Sequence, residues 1–405
     1  MHSAARTHDV TIVGGGLVGA SLAIALDRIG LDVAMVEATP PGALPAVFDQ
    51  RNLSFAEATV NALTALEVMP LLRMPTGAIR RIHVSRNGDF GRAVLDAKDY
   101  DREAFGQVVV ARDFGEALEA RLAACTRLVR YRPARFIGLD TAGDGLRLLR
   151  LAHNEGERGI ATRLVVGADG TRSGVRDALG IGADEHDYGQ TLFVARMRSE
   201  RMPDGTAYER LGDEGPTALL PRGDRHFAVV DGVARAHADA VAALDDAAWL
   251  ARLQRVFGWR VGKFLETGPR SAYPIVGVTS RQLVAPRAVL VGNAAQTLHP
   301  LGAQGFNLGL RDALTLAELI ESRGGDPGED MLLAEYARRR REDRARTLAF
   351  SDGFAKVTAN DSPLLRPLRS LGLLALDRLP ALQAGLVGGA LGYRGDVPAL
   401  CRSAR

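Results

Sequence analysis

Hydrophobic periodicity changes several times along the chain, and those changes predict its elements. Val10-Thr11-Ile12-Val13 is a β-branched apolar run of the kind that forms a buried parallel strand. A helical pattern follows over residues 20–28 with Gly30 at its C-cap, then a second apolar strand over 31–36 that ends on Glu37. Thr39-Pro40-Pro41-Gly42 breaks that strand, and a helix is expected over 57–68. Residues 78–95 read as a hairpin, with Ile79, Ile82 and Val84 on one arm and Asn87-Gly88 as the turn. A helix over 113–124 opens on Asp113 as its cap.

Strands over 128–136, 146–152 and 164–166, parted by Ala142-Gly143-Asp144-Gly145 and Asn154-Glu155-Gly156, read as a β-meander where a second crossover helix would stand. From 184 to 272 short β-like arms recur (191–197, 217–220, 226–230) around one helix over 239–257. That segment reads as an antiparallel sheet set into the first domain, joined by the 78–95 hairpin and forming one wall of a cavity. Apolar 288–291 returns the chain to the first domain, and helices over 307–322 and 331–347 complete it. The organisation expected is therefore α/β. One discontinuous domain comprises 1–77, 96–183 and 273–350, a sheet domain comprises 78–95 and 184–272, and a C-terminal helical segment comprises 351–405.

Chemistry enters between the first strand and the first helix. Gly14, Gly16 and Gly19 fill the spacing Gly-x-Gly-x-x-Gly, with Leu17 at the helix start and Glu37 about twenty residues on. Gly14 makes the tight turn, Gly16 lets a pyrophosphate approach the backbone, and Gly19 lets helix and strand pack closely. Free N–H groups at the helix start hold phosphate, and Glu37 accepts from a ribose hydroxyl. This is a dinucleotide site, for NAD or FAD. The meander tilts the choice toward a flavin.

Composition narrows the partners. The 405 residues, 46% hydrophobic, suffice for two or three domains with cores of their own, and a formal charge of +3 argues for no nucleic-acid partner. Cys125 and Cys401 are far apart with no metal-ligand spacing, which points to a reducing compartment, and the eight histidines are dispersed, so no metal site is expected. The polar Met1-to-Asp9 start does not read as a signal peptide, and no window gives eighteen uninterrupted apolar residues. Arginine supplies nearly all the positive charge beside three lysines, and the scattered arginines, Arg51 included, read as solvated charges.

Two further segments carry a resemblance. The strand 164–166 runs into Gly167-Ala168-Asp169-Gly170, and 288–291 opens onto Gly292-Asn293-Ala294-Ala295-Gln296-Thr297-Leu298-His299-Pro300, followed by Gly302-Ala303-Gln304-Gly305-Phe306-Asn307 and, at the end, Arg311-Asp312. With the glycine turn and Glu37 they stand in the order found in FAD-dependent aromatic hydroxylases. Asn293 and Gln296, where most of that family carries Asp and His, resemble its ubiquinone-biosynthesis branch and, within it, the 2-octaprenyl-6-methoxyphenol hydroxylases. The likeness spans nearly the whole chain and includes Glu209-Arg210 and Gly215-Pro216 through Leu220-Pro221. It departs in Gly302-Ala303, where the family has Ala-Gly, and in Asp231, where the family commonly has tryptophan.

The resemblance implies a Rossmann-like FAD-binding domain with an inserted β-meander, an antiparallel-sheet substrate domain and C-terminal helices. It implies FAD contacts at Gly14, Gly16, Leu17, Gly19, Glu37, Arg51, Arg112, Asp169, Asn293, Gly302, Ala303, Gln304 and Asn307. Arg51 thereby passes from solvated charge to cofactor ligand. Substrate contacts are expected at Leu220, Pro221 and Pro300, and His299 is the candidate proton acceptor, beside the reading that it merely packs the loop. The activity implied is hydroxylation of a polyprenylated phenol with O2, FAD and NAD(P)H as transient reductant. A hydroxylase of another ring position or of a soluble aromatic, an FAD-dependent prenyl reductase, and a flavin-fold protein without FAD remain as alternatives. The location expected is cytoplasmic; leucine-rich residues 362–391 read either as a helix pair packed on the protein or as a lipid-facing surface that makes it peripheral at the inner membrane, and other quinone-biosynthesis enzymes or a second copy are the candidate partners.

Overall fold

The computed structural model describes residues 7–141, 145–154, 156–358 and 366–402. The expected turn residues Ala142, Gly143, Asp144 and Glu155, the start Met1 to Arg6, and Ser362 to Leu365 of the leucine-rich segment lie outside the described residues.

Strand Thr7–Val13 pairs in parallel with Val33–Val36 on one side and with the end of Gly156–Gly167 on the other. Leu128–Tyr131 and Ala288–Leu290 extend this parallel sheet outward. Val10, Ile12, Val33, Ala34, Leu164, Val165, Ala288 and Val289 are fully buried, because helices cover both faces of the sheet. The meander is present and longer than the sequence pattern indicates: Ala134–Thr141, Arg147–His153 and Gly156–Gly167 form an antiparallel ribbon that leaves the sheet.

The second sheet has nine strands and contains Arg81–Arg86, Arg92–Asp96, Ala183–Ser199, Thr206–Leu211, Pro216–Pro221 and Phe227–Ala234. It also takes Ser271–Ser280 and Gln296–Thr297, so this sheet reaches past residue 272, where the sequence pattern placed a boundary. One face is sealed by helix Asp246–Phe257, which buries Trp249, Leu253 and Phe257 against Phe193, Met197, Leu219 and Phe227. The single helix expected over 239–257 is two, Ala238–Ala242 and Asp246–Phe257. Asp245 caps the second by accepting from the Ala248 N–H.

Between the sheets lies a three-stranded sheet of Asn52–Ala56, Gly106–Val110 and Gly77–Ile79, which takes one end of the expected 78–95 hairpin. Helix Ala111–Ala123 starts before Asp113, so Asp113 is not its cap. Its carboxylate instead accepts from the N–H groups of Arg73 and Met74. Helices Gln304–Arg323 and Asp330–Thr358 pack on the parallel sheet, and Arg366–Arg378 with Pro380–Leu391 close over the second sheet's hairpin. No single described helix is long and apolar enough to cross a membrane, although Ser370–Arg378 and Pro380–Leu391, bent by 88°, pass that test as a pair.

Candidate functional site

The three glycine-bearing segments converge. Gly14 holds φ +107, and a Cβ there would stand 2.5 Å from the Ala168 carbonyl oxygen, so the first turn and the Gly-Ala-Asp-Gly turn touch backbone to backbone. A Cβ on Gly19 would lie 1.9 Å from the Gly14 oxygen. Val18 of helix Leu17–Arg28 packs against both Gly292 and Gly309, joining the first turn to the 292–309 segment. Gly16 differs: the nearest atom to its missing Cβ is Val47 Cγ1 at 3.8 Å, so its surroundings are open. It is the helix N-cap with no side-chain acceptor, which leaves first-turn amides directed into that opening. Leu17 is the half-buried first residue of the helix. Glu37 stands at the rim, accepting from the N–H groups of Gly15 at 2.9 Å and Thr39 at 2.7 Å.

Arg51 and Arg112 are brought side by side, since the N–H groups of Ala111 and Arg112 donate to the carbonyls of Arg51 and Asp49. Their loop passes Gly16 through Val47. The Arg51 guanidinium pairs bidentately with Asp49 at 2.8 Å and lies 4.4 Å from the Tyr273 ring centroid, while the Tyr273 hydroxyl donates to Asp49 at 2.6 Å. Burial raises the Asp49 carboxyl, but Arg51 and Tyr273 outweigh it and hold the group below its ordinary value. Arg112 is exposed beside Glu116. Asp169 faces inward: its carboxylate accepts from Ser173 Oγ at 2.5 Å and the Val175 N–H at 3.1 Å, capping helix Gly174–Ala178, and burial pushes its pKa up. Asp169 therefore fixes the turn with its side chain and meets the groove with its backbone.

The second segment is a rigid loop at another open helix start. Gly302 (φ 73) and Ala303 (φ 51) both hold left-handed backbone, and Ala303 is the uncapped N-cap of Gln304–Arg323. Asn293, Pro300 and Gly302 are exposed, while Gln304 is buried and donates to the Gly302 carbonyl at 3.0 Å. Asn307 is a buried staple. Its Oδ1 accepts from the Ala56 N–H and Thr59 Oγ1, and its Nδ2 donates to the carbonyls of Ser54 and Ala303. His299 is 1% exposed: Nδ1 accepts from the Leu301 N–H at 3.2 Å and Nε2 meets Gln190 Oε1 at 3.1 Å, which assigns the Nε2–H tautomer. Its carbonyl accepts from Ser351 Oγ.

Beneath this loop lies an ionic network absent from the sequence reading. Asp343 accepts from Arg311 and Arg340, Asp312 accepts from Arg340, Gln296 and the Gly292 N–H, and Arg344 donates to Gln296, Ser280 and the Ala295 carbonyl. Gln296 bridges Asp312 and Arg344, which gives the branch-specific residue a physical task. Arg311, Arg340 and Arg344 thus tie Asp312, Asp343 and Gln296 into one network that joins helices Gln304–Arg323 and Asp330–Thr358 to the 292–296 turn.

The nine-stranded sheet turns its other face away from helix Asp246–Phe257. Paired positions Val194, Val230, Ala218, Glu209, Val84 and Ala93 make one row over six strands. Leu220 is half-buried beside that row. Pro221 is buried, its carbonyl 1.9 Å from where a Gly77 Cβ would be.

The FAD binding domain family matches residues 7–351. Among curated proteins, ubiquinone hydroxylase UbiL of Rhodospirillum rubrum is 34% identical, with 96% of this chain and 91% of that protein aligned. The 3-demethoxyubiquinol 3-hydroxylase of Escherichia coli is 30% identical over 95% of this chain and 98% of its own. Among solved structures, p-nitrophenol 4-monooxygenase PnpA of Pseudomonas putida superposes with TM-score 0.77 at 16% identity, covering 96% of this chain and 99% of that one, a likeness of fold. The open Gly16 turn, Glu37 at its rim and the two uncapped helix starts fit FAD. The chain belongs to the FAD binding domain family.

Proposed function

We propose that this protein hydroxylates the aromatic ring of a polyprenylated phenol in ubiquinone biosynthesis, using FAD, NAD(P)H and O2. The observation that carries the reading is the convergence of the open Gly16 turn with the 292–309 segment through Val18, in a chain whose second sheet carries a largely apolar row on the face turned away from helix Asp246–Phe257. The chemistry supplied by bound FAD is reduction by NAD(P)H followed by activation of O2. The chain's residues do the rest. First-turn amides after Gly16 hold the pyrophosphate, and Glu37 accepts from the ribose. Arg51 and Arg112 add positive charge beside the phosphates, and the backbone at Asp169 and Asn293 lines the groove. The uncapped Gln304–Arg323 start favours negative charge at the ring end. Leu220 and Pro300 border the apolar space for the substrate, while Pro221, buried and paired with Phe227, turns its ring to the other face and ends the strand. His299, both nitrogens engaged, positions the loop.

A polyprenyl substrate resides in lipid, and the C-terminal helix pair supplies a contact for that surface. Leu371, Leu379 and Leu382 are exposed there, and Phe90 stands beside them because Gly91 abuts Ser370. The test of function is oxygen incorporation. With a short-tailed prenylphenol and NAD(P)H, the holoprotein consumes O2 and yields a product one oxygen atom heavier. NAD(P)H oxidation that proceeds equally well without O2 and saturates the prenyl tail overturns the hydroxylase reading in favour of a reductase.

A further inference from the structure

In the apolar row that faces the FAD-binding domain, one position is ionisable. Glu209 lies between Ala218 on one neighbouring strand and Val84 on the other, with Val230, Val194 and Ala93 completing the row. Its direction follows from alternation along Thr206–Leu211. Tyr208 and Arg210 point to the sealed side, where they meet Phe257 and the Val256 carbonyl, and Ala207 packs with Ile79, Phe105 and Leu391 on the other. Glu209 shares the Ala207 side. That is also the side on which Gln190 meets His299 and Tyr273 meets Asp49, so it faces the flavin loop's half of the molecule. Glu209, Val84, Leu220 and Val230 are all half-buried on this side, so the carboxylate stands among apolar neighbours with part of its surface still reachable. Among the described residues its carboxylate has no hydrogen-bond or ion-pair partner.

We propose that Glu209 is a catalytic residue, the proton acceptor for the ring hydroxyl of the phenol; this rests on the hydroxylase reading above. The phenol O–H bond breaks, its proton goes to the Glu209 carboxylate, and the electron pair stays on the ring oxygen, activating the ring for oxygen transfer. When the newly oxygenated carbon releases its hydrogen as a proton to solvent water, the C–H electron pair re-enters the ring, aromaticity returns, and the proton on Glu209 goes back to the original ring oxygen.

Burial pushes the Glu209 carboxyl up to about 7, which poises it between acid and base at neutral pH. Charged groups on its side of the sheet are Arg86, held by Asp213 and Asp89, Arg222 just past the end of the neighbouring strand, held by Asp224 and Asn52, and Arg196 and Arg198, three strands away beside Asp224 and Glu266. Asp49, Arg51 and Tyr273 sit four strands away. From the elements packed opposite, Tyr100 and Tyr393 donate their hydroxyls to Gln383 and Glu57. His83 and Arg210 lie on the sealed face.

The test uses FAD-loaded wild type, Glu209→Gln and Glu209→Asp with 2-(3-methylbut-2-enyl)phenol as the probe. Without NAD(P)H, wild-type probe affinity rises about tenfold between pH 6 and 8 as the carboxylate forms and accepts from the phenol. The Gln variant binds with no pH step, and the Asp variant keeps one. With NAD(P)H, Glu209→Gln lowers kcat by about a hundredfold or more while FAD content is unchanged. A Gln variant that retains both the pH step and wild-type kcat overturns the assignment and leaves the hydroxylase reading standing. Wild type that incorporates no oxygen overturns the hydroxylase reading, while the pH step in binding, read without turnover, still reports on Glu209.

Discussion

Asp343→Asn is the sharpest perturbation of the support beneath the flavin loop. The Asp343 carboxylate accepts from Arg311 Nε at 2.7 Å and Nη2 at 3.0 Å, and from Arg340 Nη2 at 2.7 Å, and none of these three side chains is more than 1% exposed. Arg340 keeps Asp312 in the variant, but Arg311 loses its carboxylate. Two unit charges about 4 Å apart at an effective dielectric of about 20 interact by about 4 kcal/mol. Removal of one partner from buried ion pairs costs about 3–5 kcal/mol, so both routes predict a loss of that size. Urea unfolding followed by far-ultraviolet dichroism reads it, with FAD retention measured in parallel. Acid adds a sign. Burial raises the Asp343 carboxyl, but Arg311 and Arg340 more than offset this and hold it below the ordinary carboxylate value. Its contribution is therefore complete above about pH 4, the ordinary carboxylate value, and is lost as pH falls through the lowered folded value. The variant lacks that acid-labile increment. A loss below about 1 kcal/mol with unchanged acid stability refutes the idea that the network supports the loop.

Other outcomes follow from single residues. Ala303 carries φ 51 where glycine would be unstrained, so Ala303→Gly raises stability by about 0.5–1 kcal/mol in a urea titration, and a destabilised variant contradicts the strain. Glu37→Ala removes a charge-assisted acceptor from the ribose and weakens FAD binding by about 1.5–3 kcal/mol in a fluorescence titration. Changing Leu371, Leu379 and Leu382 together to serine reduces co-sedimentation with anionic liposomes, and unchanged binding rejects the lipid contact.

Local patterns were legible and long-range pairings were not. Residues 10–37 announce strand, turn, helix and strand because each is set by a short period and by glycines whose backbone role is visible in spacing. The sheet of Asn52–Ala56, Gly106–Val110 and Gly77–Ile79 joins segments dozens of residues apart, so no window contains its signal. The pairing of Ser271–Ser280 with Ala183–Ser199 likewise joins segments far apart in sequence. The buried network was hidden by composition: in an arginine-rich chain the charge run at 338–344 reads as a solvated surface. Yet Arg340, Asp343, Thr347 and Ser351 recur at helical spacing and are all fully buried, which is the trace that periodicity could have followed. Gln296 was visible as a branch signature, but only the structure gives it Asp312 and Arg344 to bridge. In the sequence Glu209 stands only within a resemblance, and its apolar neighbours come into view once the three strands beside its own are paired.

The central claim is that bare backbone at Gly16 admits the pyrophosphate of FAD. A Cβ there meets nothing closer than 3.8 Å in the protein itself, so Gly16→Ala folds with wild-type stability, and the loss falls on the cofactor alone. In a titration of apoprotein, wild type takes up one FAD per chain and Gly16→Ala binds at least tenfold more weakly. Wild type that takes up no FAD, or a Gly16→Ala variant that binds it equally well, contradicts the account.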